Sequence, residues 1–398
     1  MRYYIKTFGC QQNTADSERI ASFYDARGGC VADSEDAADV VIINTCMIRD
    51  KAEERVYGYI RNLRKARSPQ QQRIVLTGCI VGAAAREPSG TMRKKLLQRI
   101  PDVEILPIED VGFEHVPKRG NDRHAWIVIS NGCNNYCAFC IVPYARGKEV
   151  SRSFEEIMGE VKDLARRGYT SLTLLGQNVN SYGADLIANA RVKNKKSKRV
   201  SEQETHILPD GTAIAPVMVK HLGRHRIPTL FPHLLEQICA IDGFTHISFI
   251  SANPWDFSDE LIDVIARNAN VERTIHLPVQ SGNNEILKRM NRWYTREEYL
   301  SLIERMREKI PGVRFITDII VGFPGETEEH FQQTADLARR VGFVKAFIAC
   351  YSPRPGTVAA QKMADDVSQE EKKRRFRILK GIINVKREEN FDATWISR

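Results

Sequence analysis

The chain has 398 residues, 42% hydrophobic and 27% charged, which is enough for two or three packed units and too mixed for a disordered or fibrous protein. No run of 18 or more apolar residues occurs, and the segment from Met1 to Cys10 reads as a strand rather than a secretion signal, so no membrane span is expected and the cytoplasm is the expected compartment. Lys plus Arg outnumber Asp plus Glu by 59 to 50, and the net charge of +9 suits either an anionic partner such as RNA or simply a soluble basic surface.

From the start of the chain, Tyr3 to Phe8 reads as a strand ending in Gly9-Cys10, with Asn13 or Thr14 expected to cap the next helix. Val40-Val41-Ile42-Ile43 is a continuous apolar run of the kind buried on both faces, and it ends in Asn44-Thr45-Cys46. A helix is expected from Asp50 to Lys65, and the strand Arg73 to Leu76 leads into Thr77-Gly78-Cys79. This β-α-β-α-β alternation predicts a parallel sheet, whose carboxyl strand ends line up along one ligand-binding edge. Cys10, Cys46 and Cys79 each sit just past such an end. Three isolated buried cysteines would read the same way one at a time, but three at one edge favour a shared metal site. Cys30 falls in a turn and receives no role.

After a linker at Pro117 to Arg123, the strand His124 to Ser130 runs into Gly132-Cys133-Asn134-Asn135-Tyr136-Cys137-Ala138-Phe139-Cys140. Three close cysteines on a loop can hold three irons of a four-iron cluster and leave the fourth open to a further ligand. A structural zinc site prefers four closed ligands, and no fourth Cys or His follows nearby. Further strands are expected at Ser171 to Leu175, Thr245 to Ile250, Thr274 to Leu277, Val313 to Val321 and Ala346 to Cys350. Helices fall between them at Ser153 to Arg167, Ser258 to Ala269, Thr295 to Glu308 and Glu328 to Val341. The fold class is therefore α/β, with a second set of parallel units. The basic stretch Arg191 to Arg199 reads as a solvated insertion with a possible reach to phosphate, and His246 and His276 read as core or hydrogen-bonding residues.

The spacing C-x-x-x-C-x-x-C with Phe139 before the last cysteine resembles the defining motif of radical S-adenosylmethionine (SAM) enzymes. Asn44-Thr45-Cys46, Thr77-Gly78-Cys79, the segment from Gly132 to Arg152, Gly176 to Gly183, His276 to Gly282 and Asp318 to Thr327 together resemble the methylthiotransferase family of that superfamily. The likeness is greatest to the branch that methylthiolates isopentenyladenosine beside the tRNA anticodon. It implies residues 1–116 as an α/β domain holding an auxiliary cluster on Cys10, Cys46 and Cys79, then a partial (β/α)6 barrel over 124–360. The barrel would hold a second 4Fe–4S cluster on Cys133, Cys137 and Cys140, whose open iron binds SAM. No catalytic residue beyond the clusters is implied.

The same resemblance proposes Phe139, Gln177, Asn178, Ser251, Gln280, Asp318, Ile320 and Gly322 as SAM contacts, although capping or packing roles would leave the same sequence trace. Tyr144, Arg146 and Lys148 are candidates to meet RNA phosphate or to lie in a solvated loop. The implied partners are the tRNA anticodon stem-loop and an electron donor such as flavodoxin or ferredoxin, with a monomer favoured. Relatives carry a C-terminal RNA-binding barrel, the TRAM domain. Residues 361–398, with a basic helix from Ser368 to Arg387, do not match it, so it is expected to be absent. Two other readings stay open at this point: a sister enzyme acting on a ribosomal-protein aspartate, and a non-catalytic iron–sulfur protein.

Overall fold

The computed structural model describes residues 1–47, 52–193, 205–208, 211–221 and 225–383. Its first five strands are β1 (Arg2–Thr7), β2 (Cys30–Val31), β3 (Val40–Thr45), β4 (Arg73–Gly78) and β5 (Glu104–Ile105). They form one parallel sheet in the order β2-β1-β3-β4-β5. Helices α1 (Gln11–Asp25), α2 (Ala52–Ala66), α3 (Cys79–Arg86) and α4 (Thr91–Arg99) connect and cover it. Every residue of β3 is buried, as a strand sandwiched on both faces requires. Two local expectations change. Helix α1 starts at Gln11 with Cys10 at its N-cap, because Asn13 folds back to accept the Cys10 backbone N–H at 3.4 Å instead of capping a later start. Cys30 lies on the exposed edge strand β2 rather than in a turn.

The second set of strands begins with β6 (His124–Val128), followed by a short antiparallel pair, β7 (Ser130–Asn131) and β8 (Val150–Ser151), that flanks helix α5 (Val142–Arg146). Helix α6 (Phe154–Arg166), β9 (Ser171–Leu175) and α7 (Ala184–Lys193) follow. Small antiparallel pairs then come from β10 (His206–Ile207) with β11 (Ala213–Ile214) and from β12 (Val217–His221) with β13 (His225–Thr229). The α/β alternation resumes with α8 (Phe231–Cys239), β14 (His246–Ile250), α9 (Asp259–Arg267), β15 (Thr274–His276), α10 (Asn284–Arg289), α11 (Arg296–Lys309), β16 (Arg314–Val321), α12 (Glu328–Val341) and β17 (Lys345–Cys350). Helices α13 (Val358–Lys362) and α14 (Gln369–Ile383) close the described chain.

Strands β6, β9 and β14 pair in parallel, as do β15, β16 and β17, and β14 neighbours β15. Two three-stranded arcs thus make an open six-stranded parallel barrel. Ser153, Ser258, Thr295 and Thr327 cap α6, α9, α11 and α12 through their side chains, each worth about 1 kcal/mol of helix stability. The helices pack a continuous apolar layer around the strands, including Leu172, Leu174, Ile247, Ile275 and Ile319. Helix α1 lies against β6 at one rim of the opening, and α14 packs on β17 at the other. The hairpin of β12 and β13 was not expected from the sequence. Residues 194–199 of the basic stretch, and the tail beyond Ile383, lie outside the described residues. No helix among the described residues is long and apolar enough to cross a membrane.

Candidate active site

Cys10, Cys46 and Cys79 follow β1, β3 and β4, three adjacent parallel strands, so topology alone brings their loops to one edge. A ladder of buried side chains then fixes the loops to each other. Asn13 Nδ2 donates to Asn44 Oδ1 at 3.1 Å and to the Thr45 carbonyl at 3.0 Å, while Asn44 Nδ2 returns a bond to the Asn13 carbonyl at 2.8 Å. Thr45 Oγ1 donates to the Thr77 carbonyl at 2.6 Å and accepts the Ile80 N–H at 3.2 Å. Gly78 turns in the left-handed region at φ 87°, where a Cβ would stand 2.5 Å from Asn44 Oδ1 and from the Thr45 carbonyl. The Asn-Thr-Cys and Thr-Gly-Cys sequences are thus the joinery of the three loops.

The second cysteine group is held mainly by backbone. The Cys133 N–H donates to the Gly147 carbonyl at 3.1 Å, Ala138 N–H to Met290 at 2.9 Å, and Ala359 N–H to the Ala138 carbonyl at 2.8 Å. Asn291, itself at φ 58°, donates to the Tyr136 carbonyl at 2.9 Å. Gly132 cannot carry a side chain, since a Cβ would lie 2.1 Å from the Lys148 carbonyl.

Both groups open on one cavity of about 800 Å³. Cys10, Cys46 and Cys140 line it, together with Phe139, Gln177, Ser251, Gln280, Asp318 and Ile320, so six of the eight expected SAM contacts share its wall. Two do not. Asn178 is fully buried, and its Nδ2 donates to Asp256 Oδ2 at 2.6 Å; Gly322 sits under the Lys372 side chain with its N–H on Glu326 Oε2 at 2.6 Å. Ser251 and Gln280 hold left-handed backbone at φ 71° and 68°, a cost that residues other than glycine carry mostly at functional sites. His276 is buried between them. Its Nδ1 accepts the Ser251 N–H at 3.4 Å, and its Nε2 stands 3.2 Å from Asp318 Oδ2 without forming a hydrogen bond. The sequence reading missed Gln11, Gln12, Phe347, Tyr351 and the cations Lys345, Arg354 and Lys380 on the same wall. Only the position of Gln11 and Gln12, beside Cys10 at a helix start, offered a signal. A separate cavity of about 630 Å³, lined by Trp255, Trp293, Tyr294 and Glu297, contains none of the cysteines.

The residues suit sulfur-ligated clusters. Cys79 and Cys133 are buried, and burial pushes both thiols up; Cys140 is pushed up to about 12 by burial and by Cys137. Such thiols lose their protons when cationic iron replaces them. A buried arginine serves each group. Arg292 Nη1 donates to Cys137 Sγ at 3.7 Å, and Arg146 lies beside Cys79 and Cys10 and opposes the effect of burial on the Cys79 thiol. Both amide atoms of the buried Gln12 are without a partner beside Cys10. Among the described residues no three His, Cys, Asp or Glu side chains cluster tightly enough for a single ion. Arg146, read as a candidate for RNA phosphate or a solvated loop, is instead buried against Asp16; Lys148 is exposed and Tyr144 is half-buried.

Comparison with known proteins agrees with this arrangement. Residues 127–338 match the radical SAM superfamily, and residues 2–103 match the uncharacterized protein family UPF0004. The tRNA-2-methylthio-N(6)-dimethylallyladenosine synthase of Thermotoga petrophila is 41% identical over 98% of this chain and 84% of its own length. The protein of that name from Carboxydothermus hydrogenoformans is 39% identical over 95% and 82%. In fold, the chain is similar to the radical SAM methyltransferase TsrM from Kitasatospora setae, solved with cobalamin and a 4Fe–4S cluster, at a TM-score of 0.56 and 14% identity over 90% of this chain and 77% of that one. The cobalamin-dependent radical SAM enzyme OxsB gives 0.53 at 11% identity over 96% and 56%. With one cysteine loop inside the first matched family region's barrel, three strand-end cysteines inside the second region, and relatives near 40% identity over almost all of its length, the chain belongs to the radical SAM superfamily and, within it, to the tRNA-2-methylthio-N(6)-dimethylallyladenosine synthase family.

Proposed function

We propose that this enzyme transfers a methylthio group to C2 of isopentenyl-modified adenosine next to the anticodon of tRNA. The observation that carries the reading is the single cavity bordered by cysteines from both groups, Cys10 and Cys46 on one side and Cys140 on the other. A sulfur source and a radical source must reach the same carbon, and two remote sites could not serve one atom. Residues 1–116 supply the first cysteine set and residues 124–360 the second.

When bound, two 4Fe–4S clusters and SAM supply reductive cleavage to an adenosyl radical and the sulfur and methyl that are transferred. Cys133, Cys137 and Cys140 are the ligands proposed for the SAM-binding cluster, and Cys10, Cys46 and Cys79 for the auxiliary one. Phe139, beside Cys140, offers an aromatic face and Ile320 an apolar edge to the adenine. Gln177, Ser251 and Gln280 offer hydrogen bonds at strand ends, and Asp318, beside His276, presents a carboxylate to a hydroxyl or amine. Apolar walls from Ile319, Ile348 and Phe347 keep water from the reacting carbon. Lys345, Arg354 and Lys380 line the cavity where an anticodon stem-loop would bring its phosphates. The one-electron donor would be a protein such as flavodoxin or ferredoxin.

The test is anaerobic turnover of the reconstituted chain with SAM, a reductant, and either isopentenyladenosine-containing tRNA or ribosomal protein. Mass spectrometry of the digested tRNA should show the methylthio nucleoside. A modified protein with unchanged tRNA would move the substrate to the ribosome. Failure to form 5′-deoxyadenosine at all would leave a non-catalytic cluster protein.

A further inference from the structure

Arg146 belongs to the barrel side of the molecule but ends inside the first sheet's cysteine edge. It closes α5, which starts just after Cys140, and α5 packs on α3, which starts at Cys79. The contact is close enough to exclude any side chain at Gly82, whose Cβ would stand 1.9 Å from the Ala145 carbonyl. Arg86 Nη1 donates to that same carbonyl at 2.9 Å. One short helix therefore fixes the distance between the two cysteine groups, and Cys79 and Cys140 lie within electrostatic reach of each other.

At the end of α5 the Arg146 side chain is 3% exposed. Its Nη2 donates to Asp16 Oδ2 at 2.8 Å and its Nη1 to Asn131 Oδ1 at 3.0 Å. Asp16 is fully buried and also takes Arg19 Nη1 at 3.1 Å. Two buried arginines thus share one carboxylate, leaving one formal positive charge beside Cys10 and Cys79. An unbalanced buried cation is costly in a low-dielectric interior, and a thiolate-ligated cluster is the anion that balances it. Net charge and hydrogen bonds to sulfur are also the levers by which a protein sets a cluster's potential.

The geometry points to Arg146 as a positioning residue that crosses from the barrel to the auxiliary site and holds the auxiliary cluster's reduction potential up by the charge it places at the Cys10 and Cys79 edge, with Asp16 as the counterweight that holds it down. This rests on the assignment of a cluster to Cys10, Cys46 and Cys79. The two residues oppose each other in charge, so their variants must move the potential in opposite directions. A purely structural role would not produce that.

The measurement is a potentiometric titration followed by electron paramagnetic resonance on the full chain in a Cys133→Ala background, where the auxiliary cluster gives the signal. Arg146→Met should lower the midpoint by at least the ~59 mV that a tenfold change in a one-electron equilibrium represents. Arg146→Lys keeps the charge but not the planar fork and should fall between. Asp16→Asn should raise the midpoint. Iron retained with no shift in the Arg146→Lys and Asp16→Asn proteins, or shifts of the same sign, would overturn the inference while leaving the cluster assignment intact. No iron in the Cys133→Ala protein, alongside a single cluster's iron in the unmodified chain, would remove the assignment and the inference together.

Discussion

The two cysteine groups face one cavity but are built in opposite ways. The group of Cys133, Cys137 and Cys140 comes from one loop, and backbone bonds to Gly147, Met290 and Ala359 hold it. The group of Cys10, Cys46 and Cys79 comes from three loops with no backbone reason to keep register beyond the sheet itself. Side chains do that work there: Asn13, Asn44 and Thr45 tie the loops crosswise. Ligands on one loop need only that loop's shape, whereas ligands on separate strands need cross-links that are themselves buried and fully hydrogen-bonded.

The largest expected effects separate the two groups outright. Reconstituted protein should carry about eight irons, falling to about four in either Cys10→Ala or Cys133→Ala. The variants should differ in chemistry: Cys133→Ala abolishes SAM cleavage, while Cys10→Ala still forms 5′-deoxyadenosine but no methylthio product. Iron analysis with Mössbauer spectroscopy and product chromatography read both. An unchanged iron content in Cys10→Ala would dissolve the comparison, because the first sheet would then hold no cluster.

Next in size is the joint between the groups. Gly82→Val places two more carbons where even a Cβ meets the Ala145 carbonyl, so α5 must shift away from α3. Overpacking of this kind costs about 1–3 kcal/mol, and it should lower methylthio transfer more than SAM cleavage, since only the former needs both groups in register. The ratio of 5′-deoxyadenosine to methylthiolated product measures it. A Gly82→Val protein with normal coupling would show that the spacing is set elsewhere.

The cross-links come third. Asn44→Ala strips the buried Asn13 amide of a partner and should cost about 1–3 kcal/mol, with loss of iron from the first group only. Asn291→Ala removes side-chain bonds to the Asn135 and Tyr136 carbonyls and to Trp293 and puts alanine at φ 58°, so it should also cost about 1–3 kcal/mol, but the second loop's backbone bonds persist and its iron should be retained. Urea denaturation with iron analysis of each fraction compares them. Equal iron loss from both would contradict the contrast between side-chain and backbone construction.

The same contrast explains what the sequence revealed. The second group is visible as a motif because its ligands are neighbours. The first is visible only through topology: strand periodicity put β1, β3 and β4 in one parallel sheet, and cysteines at their ends followed. The barrel strands were legible to within a residue or two, as at β9 and β16, because apolar runs between capped amphipathic helices leave few alternatives. Burial of polar residues was not legible. Arg146 reads as a loop cation until Asp16, far away in sequence, is seen to face it, and the pairing of Asn178 Nδ2 with Asp256 leaves no trace in the spacing. The β12–β13 hairpin was missed because its short alternating strands are interrupted by lysine, histidine and proline.

The smallest expected effect concerns the acids beneath the two groups. Asp16, under the first, is bonded by two arginines, whereas Glu149, near Cys133, accepts the Ser181 hydroxyl, at 2.7 and 2.9 Å from its two oxygens, and no other described side chain. Burial, reinforced by Asp185 and Asp256, pushes the Glu149 carboxyl up to about 8, from an ordinary value of 4.5. Between those values the folded chain binds a proton that the unfolded chain has released. Its contribution is therefore full below the unfolded value and is lost as pH rises toward 8, with a slope of at most ~1.4 kcal/mol per pH unit. Raising the pH from 7 to 8 should thus cost about 1 kcal/mol, read as a lower urea midpoint under anaerobic conditions. Glu149→Gln, which keeps an acceptor for Ser181 and cannot ionise, should flatten that dependence. If both proteins lose stability equally over this interval, the alkaline sensitivity belongs to another group. If only the unmodified chain does, the second cysteine loop rests on a protonated acid while the first rests on an ion pair, and alkali should loosen the SAM-binding side before the sulfur-bearing side.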